Sequence, residues 1–198
     1  MATFSDLTSD VMTITNRPDL IAETKLAVKA ATLKIHQSDY YYKDLFETGL
    51  SWDTAAYTQE VDLSLLFSYF RTLKYVRRYD TSGTGEAKEF YTVLTPGEVL
   101  DSYGRDKYNI AYMAGRILNI KSYEKFTNAL VGMYVNPDIT DTGYSSWIAN
   151  DHPYSIIFEA ARLLFKQIGY DEQSTQFERL VAEQLVIVRA TNISAIGY

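Results

Sequence analysis

The residue pattern predicts an α+β fold, mainly helical, in which a small antiparallel β-sheet is inserted into a helical core. Two observations carry that expectation. The first is a helical hairpin over His152–Arg189. Ile157, Ala161, Leu164 and Ile168 recur at helical spacing with Ile156, Ala160 and Leu163 beside them, while Ser155, Glu159, Arg162 and Lys166 fall on other faces. Gly169 is placed to end this arm in a left-handed cap, and Tyr170 or Asp171 begins a second arm striped by Phe177, Leu180, Val181, Gln184 and Val188. The second observation is strand-like sequence between Trp52 and Val135: Trp52–Leu63 and Phe67–Tyr79 alternate irregularly and are rich in Tyr, Val, Thr and Phe, and from Asn109 the period switches towards two. One domain over 1–198 follows, with a helical core at about 5–37 and 145–190, a β excursion at about 52–135 and a C-terminal arm at 191–198.

Composition bounds the class. The chain has 198 residues, 46% of them hydrophobic and 14% aromatic, enough for a core of its own. Cysteine is absent, which removes disulfides, thiolate metal sites and cysteine nucleophiles together. Met1–Asp10 lacks the basic and apolar regions of a signal peptide, and no later run is long enough to span a bilayer, so no membrane role is expected. A net charge of −6 argues against a general nucleic-acid binder.

The elements can then be justified in order. A short helix fits Thr3–Ile14, capped by Ser5 or Thr8, and Asn16-Arg17-Pro18-Asp19 stops it and restarts the next. Leu20–Gln37 carries two apolar stripes, Ile21/Val28/Ile35 and Leu26/Ala30/Leu33, and so predicts a helix covered on more than one side. Tyr40, Tyr41, Tyr42 and Phe46 interleave with charge, a composition suited either to packing over a helix end or to a subunit interface. Strands are expected at Trp52–Leu63 and Arg71–Tyr79, the second carrying Arg71, Lys74, Arg77 and Arg78 on a solvated face. The glycines of Thr81–Glu86 do not form a phosphate loop, because no Lys-Ser/Thr pair and no strand-to-helix context follow. Thr95-Pro96-Gly97-Glu98 reads as a capping box opening a helix to about Tyr103. Ile110–Met113, Arg116–Lys121 and Phe126–Val135 read as a three-stranded meander, and Thr140–Asn150 as a polar loop pinned by Trp147.

The run Tyr112-Met113-Ala114-Gly115-Arg116-Ile117-Leu118-Asn119-Ile120, then Ala129-Leu130-Val131-Gly132-Met133-Tyr134-Val135-Asn136-Pro137, a polar loop and helices from Pro153 resembles the head-to-tail adaptor proteins of short-tailed bacteriophages, also called head-completion or tail-tube adaptors. The likeness covers Arg17–Gln37 loosely and Tyr112–Val188 better, about half of the chain. It implies a structural virion protein of the neck or tail, assembled in the host cytoplasm as a ring of about twelve copies that joins portal to tail or nozzle proteins and lets DNA pass without specific binding. The apolar Ile193, Ile196 and Tyr198 of the C-terminal tail either fold back on the hairpin or form an arm that docks elsewhere, and the resemblance implies the second, a portal-docking arm. Tyr40, Tyr41, Tyr42 and Phe46 become the candidate subunit interface.

No catalytic, cofactor-binding or metal-binding residue is assigned. His36 and His152 are the only histidines, and neither lies in a nucleophile or metal-ligand motif; a helix C-terminus and a helix start explain them. The alternatives are a hydrolase or nuclease using paired loop carboxylates such as Asp138/Asp141 or Glu47/Asp53, and a monomeric small-ligand binder lined by some of the seventeen tyrosines.

Overall fold

A computed structural model describes residues 3–79 and 87–195. In chain order its elements are α1 (Phe4–Thr15), α2 (Ile21–Gln37), β1 (Leu45–Asp62), α3 (Leu63–Leu66), β2 (Phe70–Tyr79), β3 (Ala87–Leu94), β4 (Ile110–Ala114), β5 (Ile117–Val135), α4 (Trp147–Asp151), α5 (Pro153–Gln167) and α6 (Asp171–Ala195). They fall into two compact units, Met1–Asp44 with Asn136–Tyr198, and Leu45–Val135.

The expected fold class needs correction. A mainly helical chain with a small inserted sheet does not describe a molecule with 45% helix and 34% strand, in which four strands close into a β-barrel and a fifth is added. The reason lies in two long strands and one missed strand. β1 and β5 run for 18 and 19 residues, and β5 continues straight through Ser122–Lys125, where the meander reading placed a break. Ala87–Leu94 is a strand although it drew no expectation.

In the β unit the long β5 organises everything. Its first half pairs antiparallel with β4 and its second half with β2, while β1 lies along it antiparallel. β2 pairs antiparallel with β3, and β3 pairs parallel with β4, which closes the ring. Closure requires β5 to turn between its two partners. The β1–β5 register shifts between Ser51 and Thr58, opposite Asn128 and Lys121, and such bulges bend strands. Gln59 secures this level, its Nε2 donating to the carbonyls of Thr54 and Phe126. Gly115 turns β4 into β5 at φ +66°, a conformation that suits glycine. The core inside consists of Leu50, Leu63, Val76, Tyr91, Ala111, Leu118, Ile120, Phe126, Ala129, Val131 and Met133.

The helical unit packs α1, α2, α4, α5 and α6 around Leu7, Val11, Val28, Ile35, Ile148, Ile156, Ile157 and Val188. Thr3, rather than Ser5 or Thr8, caps α1 through a capping box with Asp6, and Asn16 ends the helix in the left-handed region. The hairpin closes at Gly169, φ +81°, as its spacing implied. Two of its residues lie elsewhere than periodicity placed them: Ser155 and Glu159 are buried. Trp147–Asp151 is a helix capped by Ser146, not polar loop. The Thr95 capping pattern exists, with the Glu98 carboxylate accepting from the Thr95 N–H and hydroxyl, but it opens only the single 3-10 turn Pro96–Glu98.

Candidate functional site

The four residues expected at a subunit interface separate. Tyr41 is fully buried in the helical unit, its ring edge-on to Trp147 at 5.4 Å and its hydroxyl 3.0 Å from Ser38 Oγ. Burial pushes its phenol pKa up. Tyr40 and Tyr42 flank it on the surface, and Phe46, on β1, is exposed beside Phe67. Tyr41 therefore holds the helical core, and the other three lie at the surface. Of the expected arm, Ile193 lies on α6, which continues to Ala195 instead of fading near Arg189, while Ile196 and Tyr198 lie outside the described residues.

Sequence reasoning missed the most ordered polar arrangement in the helical unit. His36 near the end of α2 places Nδ1 at 2.9 and 3.0 Å from the two carboxylate oxygens of Asp44, and Nε2 at 2.8 Å from Ser146 Oγ. Asp44 also accepts from Trp147 Nε1 at 2.7 Å, and Ser146 Oγ accepts from the Ala149 N–H at 3.1 Å. An Asp-His-Ser chain of this kind is the arrangement that activates a serine nucleophile. Here all three residues are buried, and the serine oxygen is engaged as the cap of α4. Its lone pairs face backbone and imidazole rather than a cleft, so the geometry fastens α2, the Tyr42–Asp44 turn and α4 to one another. The residues are 8 and 110 positions apart, which left no local signal to find.

A second buried charge joins α2 to α5. Glu159 lies wholly out of solvent, 2.7 Å from Lys34 Nζ, and takes a two-pronged pair of bonds from Arg162 at 2.9 and 2.7 Å. Burial raises its pKa, but the bonds and charges of Arg162 and Lys34 outweigh that and hold it below the ordinary glutamate range. His152, expected as cap chemistry, supplies the carbonyl that accepts from Ser155 Oγ, and its Nε2 is buried with no hydrogen-bond partner.

Three of the four paired carboxylates are engaged, while Asp53 is exposed. Asp138 accepts from the Thr140 N–H, Asp141 pairs with Lys25 and Lys29, and Glu47 accepts from the Tyr75 hydroxyl. Among the described residues no group of three or more His, Asp or Glu side chains could hold a metal ion. In the basic strand, Arg77 stacks on Phe90 at 4.4 Å and Arg78 pairs with Glu124.

Exposed apolar side chains form the other conspicuous feature. On α2 the first expected stripe is covered at Val28 and Ile35, but of the second, Leu26 is 66% exposed and Ala30 is also bare. On α6, Val186 and Ile187 face solvent. Among the described residues no helix is long and apolar enough to cross a membrane. No known protein family matches the chain, and no curated protein is similar to it.

Proposed function

We propose that the chain is a structural virion subunit, a head-to-tail adaptor of a short-tailed bacteriophage. It would assemble as a ring of about twelve copies between portal and tail, with DNA passing through. The uncovered second stripe of α2 carries this reading. Leu26 and Ala30 lie one turn apart with Leu33 half-buried beyond them, so the stripe needs a covering surface that the subunit does not supply to Leu26. A neighbouring copy is the occupant proposed, and Val186 and Ile187 on α6 add to the same demand. The buried polar networks favour scaffolding over chemistry, because their functional atoms are closed to solvent and already paired. A net charge of −6 suits a conduit, since each phosphate gripped would hold DNA in place.

Light scattering of the purified protein, alone and mixed with the portal of the same phage, tests the proposal. An oligomer, or a monomer that becomes a ring on the portal, is the expected result. A monomer at every concentration with no portal complex overturns it, and nanomolar duplex binding at physiological salt would count against a conduit.

A further inference from the structure

The β unit carries a tyrosine-lined groove that neither the fold nor the proposed assembly uses. Tyr57 on β1, Tyr123 on β5 and Tyr108 in the segment before β4 surround a cavity of about 310 Å3 together with Asp106 and Lys121. A second cavity of about 420 Å3 adjoins it, sharing Asp106, Tyr108 and Tyr123 and adding Asp101, Lys107 and Thr92. Tyr108 and Tyr123 stack on each other at 5.0 Å and form the wall between the two. All three rings are substantially exposed, Tyr123 at 67%. A buried aromatic would be explained by packing; three exposed ones around one groove are not.

The groove is also held in shape. Asn109, at φ 54°, fixes the segment before β4: its carbonyl accepts from the Thr92 N–H at 2.9 Å and its Oδ1 from the Tyr123 N–H at 3.3 Å. Lys121 Nζ sits 2.8 Å from Asp106 Oδ1, an ion pair on the floor beside the rings. Asp101 accepts from the N–H groups of Tyr103 and Arg105, closing the adjoining turn.

From this geometry we infer that the groove binds a neutral oligosaccharide, with sugar rings lying on Tyr108, Tyr123 and Tyr57. A pyranose presents one face of C–H groups that covers an aromatic ring, and an edge of hydroxyls that both donate and accept. The ion pair answers that edge, since the carboxylate accepts and the ammonium donates, and Thr58 lines the first cavity and Thr92 the second. Charge decides between a sugar and a single-stranded nucleic acid, which also stacks on aromatics. The two cavities are lined by as many carboxylates, Asp101 and Asp106, as ammonium groups, Lys107 and Lys121. A strand of phosphates needs a basic excess; an uncharged ligand does not. Adjoining cavities divided by one aromatic wall suit a chain of sugars rather than a single ring.

Affinity electrophoresis of the full chain tests this, using gels cast with dextran, soluble starch, galactomannan or xylan, with heparin and dT20 as charged competitors in fluorescence titrations. At least one neutral polysaccharide is expected to retard the protein. Tyr123→Ala and Tyr108→Ala should each weaken that retardation at least tenfold with the melting temperature unchanged, while Tyr123→Phe keeps it. Failure of all four polysaccharides to retard the protein overturns the inference, as does retardation of both alanine variants equal to that of the unsubstituted chain. Binding of heparin or dT20 that these variants abolish, with the neutral gels inert, would replace it with a polyanion site. None of these outcomes depends on ring assembly.

Discussion

The two units solve the same problem, a unique packing, by different means. In the helical unit the apolar contacts, among them Ala27, Val28, Ala31, Ile157 and Ala160, are non-directional and do not by themselves fix how the helices are set against one another. Directional bonds between distant elements remove that freedom: Asp44 and Ser146 grip His36, and Glu159 ties α5 to Lys34 of α2. In the β unit ladder pairing fixes register residue by residue. Among its described residues the buried polar side chains, Gln59, Asn119 and Ser122, are uncharged, and the ion pairs Arg78–Glu124 and Lys121–Asp106 reach the surface. The comparison teaches that polar substitutions should injure the first unit and steric ones the second.

The largest effect is expected from Asp44→Ala. It leaves the His36 Nδ1 and Trp147 Nε1 donors facing an apolar side chain, and one buried partner lost from such a network costs about 3 kcal/mol. Asp44→Asn retains an acceptor and should cost less than half as much. Each unit holds one of the chain's two tryptophans, Trp147 or Trp52, so fluorinated tryptophan gives a separate NMR signal for each. Chemical denaturation of Asp44→Ala should move the Trp147 transition alone; equal movement of both signals would dissolve the distinction drawn here.

In the β unit the counterpart is Gly132→Ala. A Cβ on Gly132 would stand 2.4 Å from ring carbons of Tyr75, which lies across it on β2 with its hydroxyl bonded to Glu47. The ring must shift and give up that bond, a cost of about 1–2 kcal/mol. The Trp52 transition should fall to lower denaturant, and Tyr75→Ala in the same background should restore part of the loss by emptying the space. No restoration would mean that the glycine serves the backbone rather than the ring.

What the sequence made legible follows the same division. Periodicity located α2 and the hairpin because each helix buries one face, and Gly169 marked the turn by its conformational freedom. It misplaced Glu159 and Ser155, since a charged residue on a helix says nothing of a lysine 125 positions away that lets it be buried. In the β unit, the polar run Ser122–Lys125 resembled a turn, yet it lies within β5 between the stretches that pair with β4 and with β2, and those pairings are what close the barrel. Local pattern recorded β1, β2, β4 and β5, but neither β3 nor the barrel. Of the candidate site, the aromatic segment was visible as composition, but which tyrosine is core and which is surface depends on Trp147, far along the chain.

A smaller and pH-dependent effect sharpens the comparison from the acid side. The Glu159 carboxylate has its pKa depressed by folding, so its stabilisation is complete above the unfolded value and is lost as pH falls through the folded one. Below about pH 4 the helical unit should therefore weaken. Glu159→Gln should be less stable at pH 7 and should lose stability less steeply between pH 5 and pH 2. A variant with the same acid slope as the unsubstituted chain would show that the buried ion triad is not the titrating element.

The smallest effect on stability is expected at Leu26, and it bears on assembly. The side chain is 66% exposed, so Leu26→Ser removes little buried surface and should change the unfolding free energy by less than about 0.5 kcal/mol. If a neighbouring copy covers the stripe, the same change takes an apolar contact from every interface of the ring. Burying one leucine is worth about 2 kcal/mol, and in a closed ring that loss recurs at each joint, so a modest local defect becomes a large defect of assembly. Light scattering should then find Leu26→Ser monomeric where the unsubstituted chain is oligomeric or bound to portal, with the two melting curves superimposed at concentrations where both are monomeric. An assembly unaffected by the serine, or by Leu26→Asp as a stronger variant, would place the subunit contact on another face of the helical unit and leave the bare stripe of α2 without its proposed occupant.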